Sequence, residues 1–192
     1  CSLLRWHTPI YKPFSRCEVV DRRGEDTFPS TSPNADAVTT THRCDKKWYS
    51  REKILNLVLQ GKSLALVSDA GTPLISDPGY KLVAFLLEHN CRVLSVPGAC
   101  SAIAALSVSG IASDRFMFVG FIPSTLQAKE NFFKDLVNFE TSLIFFETSN
   151  RLIASLEVML KVFGNRIGAV SREITKIYEQ TKKANLEDLI KF

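Results

Sequence analysis

Twelve residues, "SDAGTPLISDPG" (68–79), hold two Asp, two Gly, two Pro, two Ser and a Thr directly behind the apolar run "LALV". Gly71 and Gly79 can adopt positive φ and let a ligand approach the backbone closely. Pro73 and Pro78 stiffen the loop and lower its ordering cost. The carboxylates of Asp69 and Asp77 are acceptors suited to ribose hydroxyls or an ammonium group. This chemistry suits a neutral or cationic ligand better than a phosphate. Phosphate cradles of the GxxxxGK[ST] type and the GxGxxG fingerprint are both missing from the chain, which counts against ATP and NAD.

Two further loops have a similar character. "PGACSA" (97–102) places Pro97 and Gly98 ahead of the small residues Ser101 and Ala102, and "ETSNR" (147–151) places Glu147 four residues before Arg151. Each motif has a plain structural alternative. Asp77 is equally suited to cap the helix that follows it. Pro97-Gly98 serves as a tight turn, and Ser101 and Ala102 as packing residues. Glu147 and Arg151 form an ordinary i,i+4 ion pair as readily as a site. Arg172, Glu173, Thr175 and Lys176 cluster at the end of "GAVSRE", where a solvated charge patch is the alternative. His89 sits near a helix end and suits the role of a C-terminal dipole partner.

The elements that must position these loops read as α/β. "REKILNLVLQG" (51–61) has a helical apolar face closed by Gly61, and "SLALVSD" (63–69) is a short buried strand. "GYKLVAFLLEHN" (79–90) is an amphipathic helix, "CRVLSVPG" (91–98) a second strand, and "ACSAIAALSVSG" (99–110) a helix rich in small residues. Strand, helix, strand, helix predicts a parallel βαβ sheet. In such a sheet ligands gather beyond the strand carboxyl ends, where the three loops converge. A second series follows "IASDR" (111–115): strands at 116–122, 142–148 and 166–173, helices at 126–139 and 149–164, and the start of another helix at 185–192. The expected domains are 1–50, irregular; 51–114, an α/β lobe with the cofactor loops; and 115–192, a second α/β lobe.

Bulk composition bounds the rest. The 192 residues are 45% hydrophobic and 23% charged, with a net charge of +4 that permits an acidic partner such as RNA. No stretch approaches the roughly 18 apolar residues of a membrane span, and no signal segment opens the chain. A soluble cytoplasmic protein is expected. Five cysteines without CxxC spacing indicate neither a disulfide framework nor a metal site. Residues 1–50 carry four of the eight prolines and both tryptophans and show almost no helix or strand periodicity.

The loops in this order resemble the tetrapyrrole methylase superfamily. "LVSDAGTPLISDPGY…SVPGACSAIAALSVSGIASDRFMFVGFIP" and "LIFFETSNRL…AVSREITKIYEQT" resemble its branch that 2′-O-methylates a cytidine of small-subunit ribosomal RNA. The resemblance runs from about Arg51 to Lys183. It implies a two-lobed α/β fold, each lobe a mostly parallel or mixed sheet with flanking helices, usually dimeric, binding S-adenosylmethionine between the lobes. It carries the cofactor role onto Asp69, Ala70, Gly71, Thr72, Pro73, Ser76, Asp77, Pro97, Gly98, Ser101 and Ala102. Under that reading Glu147, Glu173 and Lys176 are candidates for a base near the 2′-hydroxyl. Arg151, Arg172, Lys176, Lys182 and Lys183 are candidates for holding RNA phosphates. Alternatives are a tetrapyrrole or other small acceptor on the same fold, and an inactive fragment. Only "TPI" (8–10), "EVVD" (18–21) and "EDT" (25–27) echo the family's opening strand and loop, and its closing strands have no counterpart. The expectation is a truncated or reading-frame-damaged product, incomplete at both ends.

Overall fold

A computed structural model of the chain describes residues 19–20, 37–41, 51–67 and 70–192. It divides into two compact units, Pro9–Gly98 and Ala99–Phe192.

In the first unit, β1 (Val19–Val20) runs antiparallel to β2 (Ala37–Thr41), and β2 runs parallel to β3 (Ser63–Val67). Sequence reasoning expected no strand before residue 51. The β-branched residues of "AVTTT" supply the propensity, but their threonines gave no apolar signal. Helix α1 (Arg51–Leu59) buries Ile54 and Leu55 and stops at Gly61, whose φ is 83°. Helix α2 (Tyr80–Glu88) packs near it, with the Arg51 guanidinium 5.6 Å from the Phe85 ring centre. His89 closes α2 as expected: Nδ1–H donates to the Phe85 carbonyl at 2.8 Å, satisfying one of the last-turn acceptors.

The expected strand at 92–96 does not form. Residues 91–100 adopt neither helix nor strand, and Val93, Leu94 and Val96 are 40%, 68% and 86% exposed. A strand is stabilised by its ladder, and the ladder described for β3 is the one with β2. Among the described residues "RVLSV" takes part in no ladder, so its side-chain pattern has no partner strand to act on.

Gly79 is the point on which the loop 70–79 turns into α2. Its φ is 134°, and a Cβ there would sit 3.1 Å from Leu66 Cδ2 and 3.3 Å from Leu74 Cδ1. Gly79→Ala is expected to cost about 1–3 kcal/mol, because it adds backbone strain to a side-chain collision. Chemical denaturation monitored by circular dichroism checks this, and a loss below 0.5 kcal/mol would contradict it.

The second unit begins with α3 (Ser101–Ser109), which ends at Gly110 in the left-handed conformation, φ 66°. Strand β4 (Phe116–Phe121) pairs in parallel with β5 (Ser142–Phe146), with an irregularity between Phe118 and Gly120. Helix α4 (Leu126–Lys134) and helix α5 (Ser149–Phe163) pack on each other. Lys161 reaches across to Glu130 at 2.6 Å, and its hydrogen bond holds that carboxyl below the usual range. Strand β6 (Ile167–Arg172) forms an antiparallel hairpin with β7 (Gln180–Asn185), and α6 (Leu186–Ile190) follows. Three apolar clusters fill this unit. Ala102 and Leu106 meet Ile144 and Phe146; Phe133 sits among Ile122, Leu136 and Val158; Leu156 and Val170 meet Leu186 and Leu189.

Candidate cofactor loop and charged clusters

The loop behind β3 is bent by four left-handed residues: Gly71 at φ 76°, Leu74 at 72°, Ser76 at 59° and Gly79 at 134°. The two glycines do what their residue type allows. Leu74 and Ser76 adopt the same region against the steric preference of a Cβ, at a cost of order 1 kcal/mol each. Within the loop Ile75 N–H donates to the Thr72 carbonyl at 3.3 Å. Thr72, Pro73 and Asp77 are half-buried, whereas Ala70, Gly71 and Ser76 are exposed. The N-cap of α2 is Gly79 rather than Asp77. Asp69, with Ser68, lies outside the described residues.

The second loop divides between the units. Pro97 and Gly98 are exposed at the end of the first. Ser101 and Ala102 open α3 in the second, 5% and 2% exposed, and Ala102 packs against Leu106, Ile144 and Phe146.

The third loop closes into a buried network. Glu147 is 3% exposed. Its Oε1 accepts from Thr148 N–H at 2.8 Å, and its Oε2 accepts from Ser155 Oγ–H at 2.6 Å and from an Arg151 Nη2–H at 3.3 Å. Arg151 also donates to the carbonyls of Ile122 and Pro123. Its Nε lies 3.3 Å from Glu147 Oε1 without hydrogen-bond alignment. The i,i+4 pairing expected from sequence is thus present. Ser155, missed in the sequence, lies four residues beyond Arg151 and eight beyond Glu147, a spacing that repeats along one helix face.

The charged residues after β6 separate into pairs. Lys176 Nζ donates to both Glu173 oxygens at 3.2 and 3.1 Å, across a turn in which Glu173 and Thr175 have φ of 52° and 62°. Arg172 Nε–H donates to Gln180 Oε1 at 2.7 Å. Arg172 and Lys182 both lie over the Phe192 ring, 5.9 and 5.5 Å from its centre. Lys183 donates to the Gly110 carbonyl at the end of α3, the cation position that a helix C-terminus favours. Phe192 and Gly110 were not anticipated, because β7 is polar and reads as loop.

Among the described residues no cluster of His, Cys, Asp and Glu is suited to a metal, and no helix is long and apolar enough to cross a membrane. Three relatives are each named ribosomal RNA small subunit methyltransferase I. The protein of Rickettsia prowazekii (strain Madrid E) is 49% identical over 145 residues, 76% of this chain and 52% of the relative. That of Xylella fastidiosa (strain Temecula1) is 46% identical over 139 residues, 72% of this chain and 51% of the relative. That of Escherichia coli O157:H7 is 42% identical over 140 residues, 72% and 49%. The chain spans about half the length of the curated relatives it matches. Residues 15–190 match the family described as Tetrapyrrole (Corrin/Porphyrin) Methylases, and the chain belongs to that family.

Proposed function

We propose that this chain serves S-adenosylmethionine-dependent 2′-O-methylation of a cytidine ribose in small-subunit ribosomal RNA, as a cytoplasmic homodimer. The observation that carries the reading is the 49% identity to a protein bearing the name ribosomal RNA small subunit methyltransferase I.

The donor set of the first loop fits the cofactor. The hydroxyls of Thr72 and Ser76 and the carboxylate of Asp77 offer the partners that ribose hydroxyls and an ammonium group need, and Gly71 leaves the backbone open to close approach. Asp69, Ala70, Pro73, Pro97, Gly98, Ser101 and Ala102 complete the proposed set. When bound, S-adenosylmethionine supplies a methyl group already activated on a sulfonium. The chain's own work is then to orient the ribose and receive its proton. Glu147 already accepts from Thr148, Ser155 and Arg151. Lys176 is the one described partner of the Glu173 carboxylate. We therefore assign the proton-accepting role to the Glu173–Lys176 pair and a positioning role to Glu147. Arg172 and Lys182 hold phosphate, with Arg151 and Lys183 tied to backbone carbonyls at their tips.

Transfer of a radiolabelled methyl group to unmethylated small ribosomal subunits, compared with porphyrinoid acceptors, tests the reading. Label in alkali-resistant dinucleotides supports it; label in the porphyrinoid assigns the chain to a small-molecule acceptor. A melting curve unmoved by S-adenosylmethionine would identify an inactive fragment. Asp69→Ala is expected to weaken calorimetric cofactor binding at least tenfold with an unchanged circular dichroism spectrum. Unaltered binding removes Asp69 from the site.

A further inference from the structure

The connection between β6 and β7, residues 173–179, is ordered by its own hydrogen bonds. Lys176 N–H donates to the Glu173 carbonyl at 2.9 Å and Glu179 N–H to the Lys176 carbonyl at 3.1 Å, which makes two successive four-residue turns. Thr175 N–H donates to Glu179 Oε2 at 2.5 Å and Lys176 Nζ to the Glu173 carboxylate, so both acidic side chains of the connection are engaged within it. Glu173 and Thr175 hold the left-handed φ that a Cβ resists. Ile177 and Tyr178 occupy the two corners of the second turn and are 90% and 79% exposed. Such corners favour Pro, Gly, Asn, Asp and Ser. Among the described residues Ile177 is the most exposed large apolar side chain and Tyr178 the most exposed aromatic one. A rigid turn whose corner residues contradict both turn chemistry and burial, with nothing gained for the core, marks a surface made for contact.

We infer that Tyr178 is the stacking platform for one unpaired nucleobase of the RNA, with Ile177 flanking the base and Arg172 and Lys182 holding phosphates of the same strand. The inference rests on the RNA reading of the methylation site and adds to it the contact that engages a base rather than the backbone. The register Arg172↔Gln180 and Val170↔Lys182 puts Arg172 and Lys182 on one face of the hairpin that carries the tip, and both are exposed. Exposed cations beside an exposed ring match a polyanion that also offers π-faces. Two corner side chains are too few for a protein partner, which needs about 800 Å² from each side, whereas one base needs only one ring face. Tyrosine has two side-chain torsions and its turn is already fixed, so stacking orders little that was free. Every base has such a face, so the contact tolerates sequence and selects for a base that is not paired.

The 192-residue chain is titrated into a short, unstructured, fluorescein-labelled RNA and into an abasic RNA of the same length, with binding read by anisotropy. Tyr178→Ala is expected to weaken binding to the RNA at least about fivefold, the lower end for loss of one stacked base, and to leave binding to the abasic RNA within about twofold. Tyr178→Phe keeps the ring and is expected to bind both as the unaltered chain does. The salt dependence stays the same in Tyr178→Ala, whereas Lys182→Ala lowers its slope by about one. Equal losses on the two RNAs, or no loss on either, overturn the inference, as does an unaltered chain that binds the abasic RNA as tightly as the RNA with bases. A Tyr178→Ala chain that sediments as a smaller species than the unaltered one also overturns it, because the tip then belongs to a contact between copies. The methyl-transfer assay reports separately: label in the porphyrinoid together with the base-dependent loss in Tyr178→Ala sinks the methylation reading alone, and label in the ribosomal subunit with unchanged RNA affinity in that variant sinks this inference alone.

Discussion

Phe133→Ala is expected to lower the unfolding free energy of the Ala99–Phe192 unit by about 3–5 kcal/mol, the usual cost of deleting a fully buried ring. Phe133 is 0% exposed. Its ring lies 5.7 Å from Phe145 at 85°, 5.3 Å from Phe163 and 5.5 Å from Phe132, within the edge-to-face and tilted range that adds to area burial. These partners come from α4, β5 and α5, three elements joined by this one side chain, so neighbouring groups cannot all collapse into the space it leaves. Domains of this size are stable by about 5–15 kcal/mol, so the variant loses from about a fifth of its stability to nearly all of it. Guanidinium denaturation gives the number. Phe133→Leu is expected to cost about 1–2 kcal/mol, since it keeps most of the apolar volume. Equal midpoints for the alanine variant and the unaltered chain would show that the cluster is already loose.

The same cluster shows why most helices were legible in the sequence. Phe133 and Leu136, like Leu152, Leu156 and Met159, follow the three-to-four spacing that only a helix brings to one side. Strands β4, β5 and β6 read instead as short continuous apolar runs. Strand β7 did not. "QTKKAN" pairs residue by residue with β6 while leaving Lys182 and Lys183 exposed, and an edge strand with lysines carries almost no hydrophobic signal. At 92–96 the converse holds, because the apolar pattern is present and, among the described residues, no ladder includes it. Pattern reports what a segment can bury, whereas a ladder depends on a partner remote in sequence.

The candidate site divides along a similar line. Positive φ at Gly71 and Gly79 followed from residue type, because glycine has no Cβ to resist it. The same bend at Leu74 and Ser76 had no local signal; the loop imposes it on them. Ala102 had two readings, room for a flat ligand or packing, and its side chain lies in the apolar cluster with Ile144 and Phe146. Lys183 read as a candidate for holding phosphate, with no sign of its contact to the Gly110 carbonyl, which lies 73 residues away.

Removal of the Glu147 carboxylate is the second large effect. Glu147→Ala is expected to cost about 2–4 kcal/mol, which is less than the loss of one partner from a fully buried ion pair because the Arg151 side chain is 33% exposed. The cost arises from what the carboxylate leaves behind. Ser155 is 1% exposed, so its hydroxyl loses its acceptor in a place water does not reach, and the Thr148 amide loses its acceptor at the first turn of α5. Arg151 retains the Ile122 and Pro123 carbonyls, which anchor the end of β4 to α5. A double-mutant cycle with Ser155→Ala isolates the buried hydrogen bond, with a coupling of about 1–2 kcal/mol expected. A network that only positions the backbone has a kinetic signature as well. Glu147→Gln keeps one acceptor and adds a donor, so it should restore part of the stability and, if the chain transfers methyl groups, leave the pH profile in place. A general base would lose the acidic limb of that profile, the fall in rate at low pH, in the same variant. Coupling near zero, together with a lost limb, would move Glu147 from the scaffold to the chemistry.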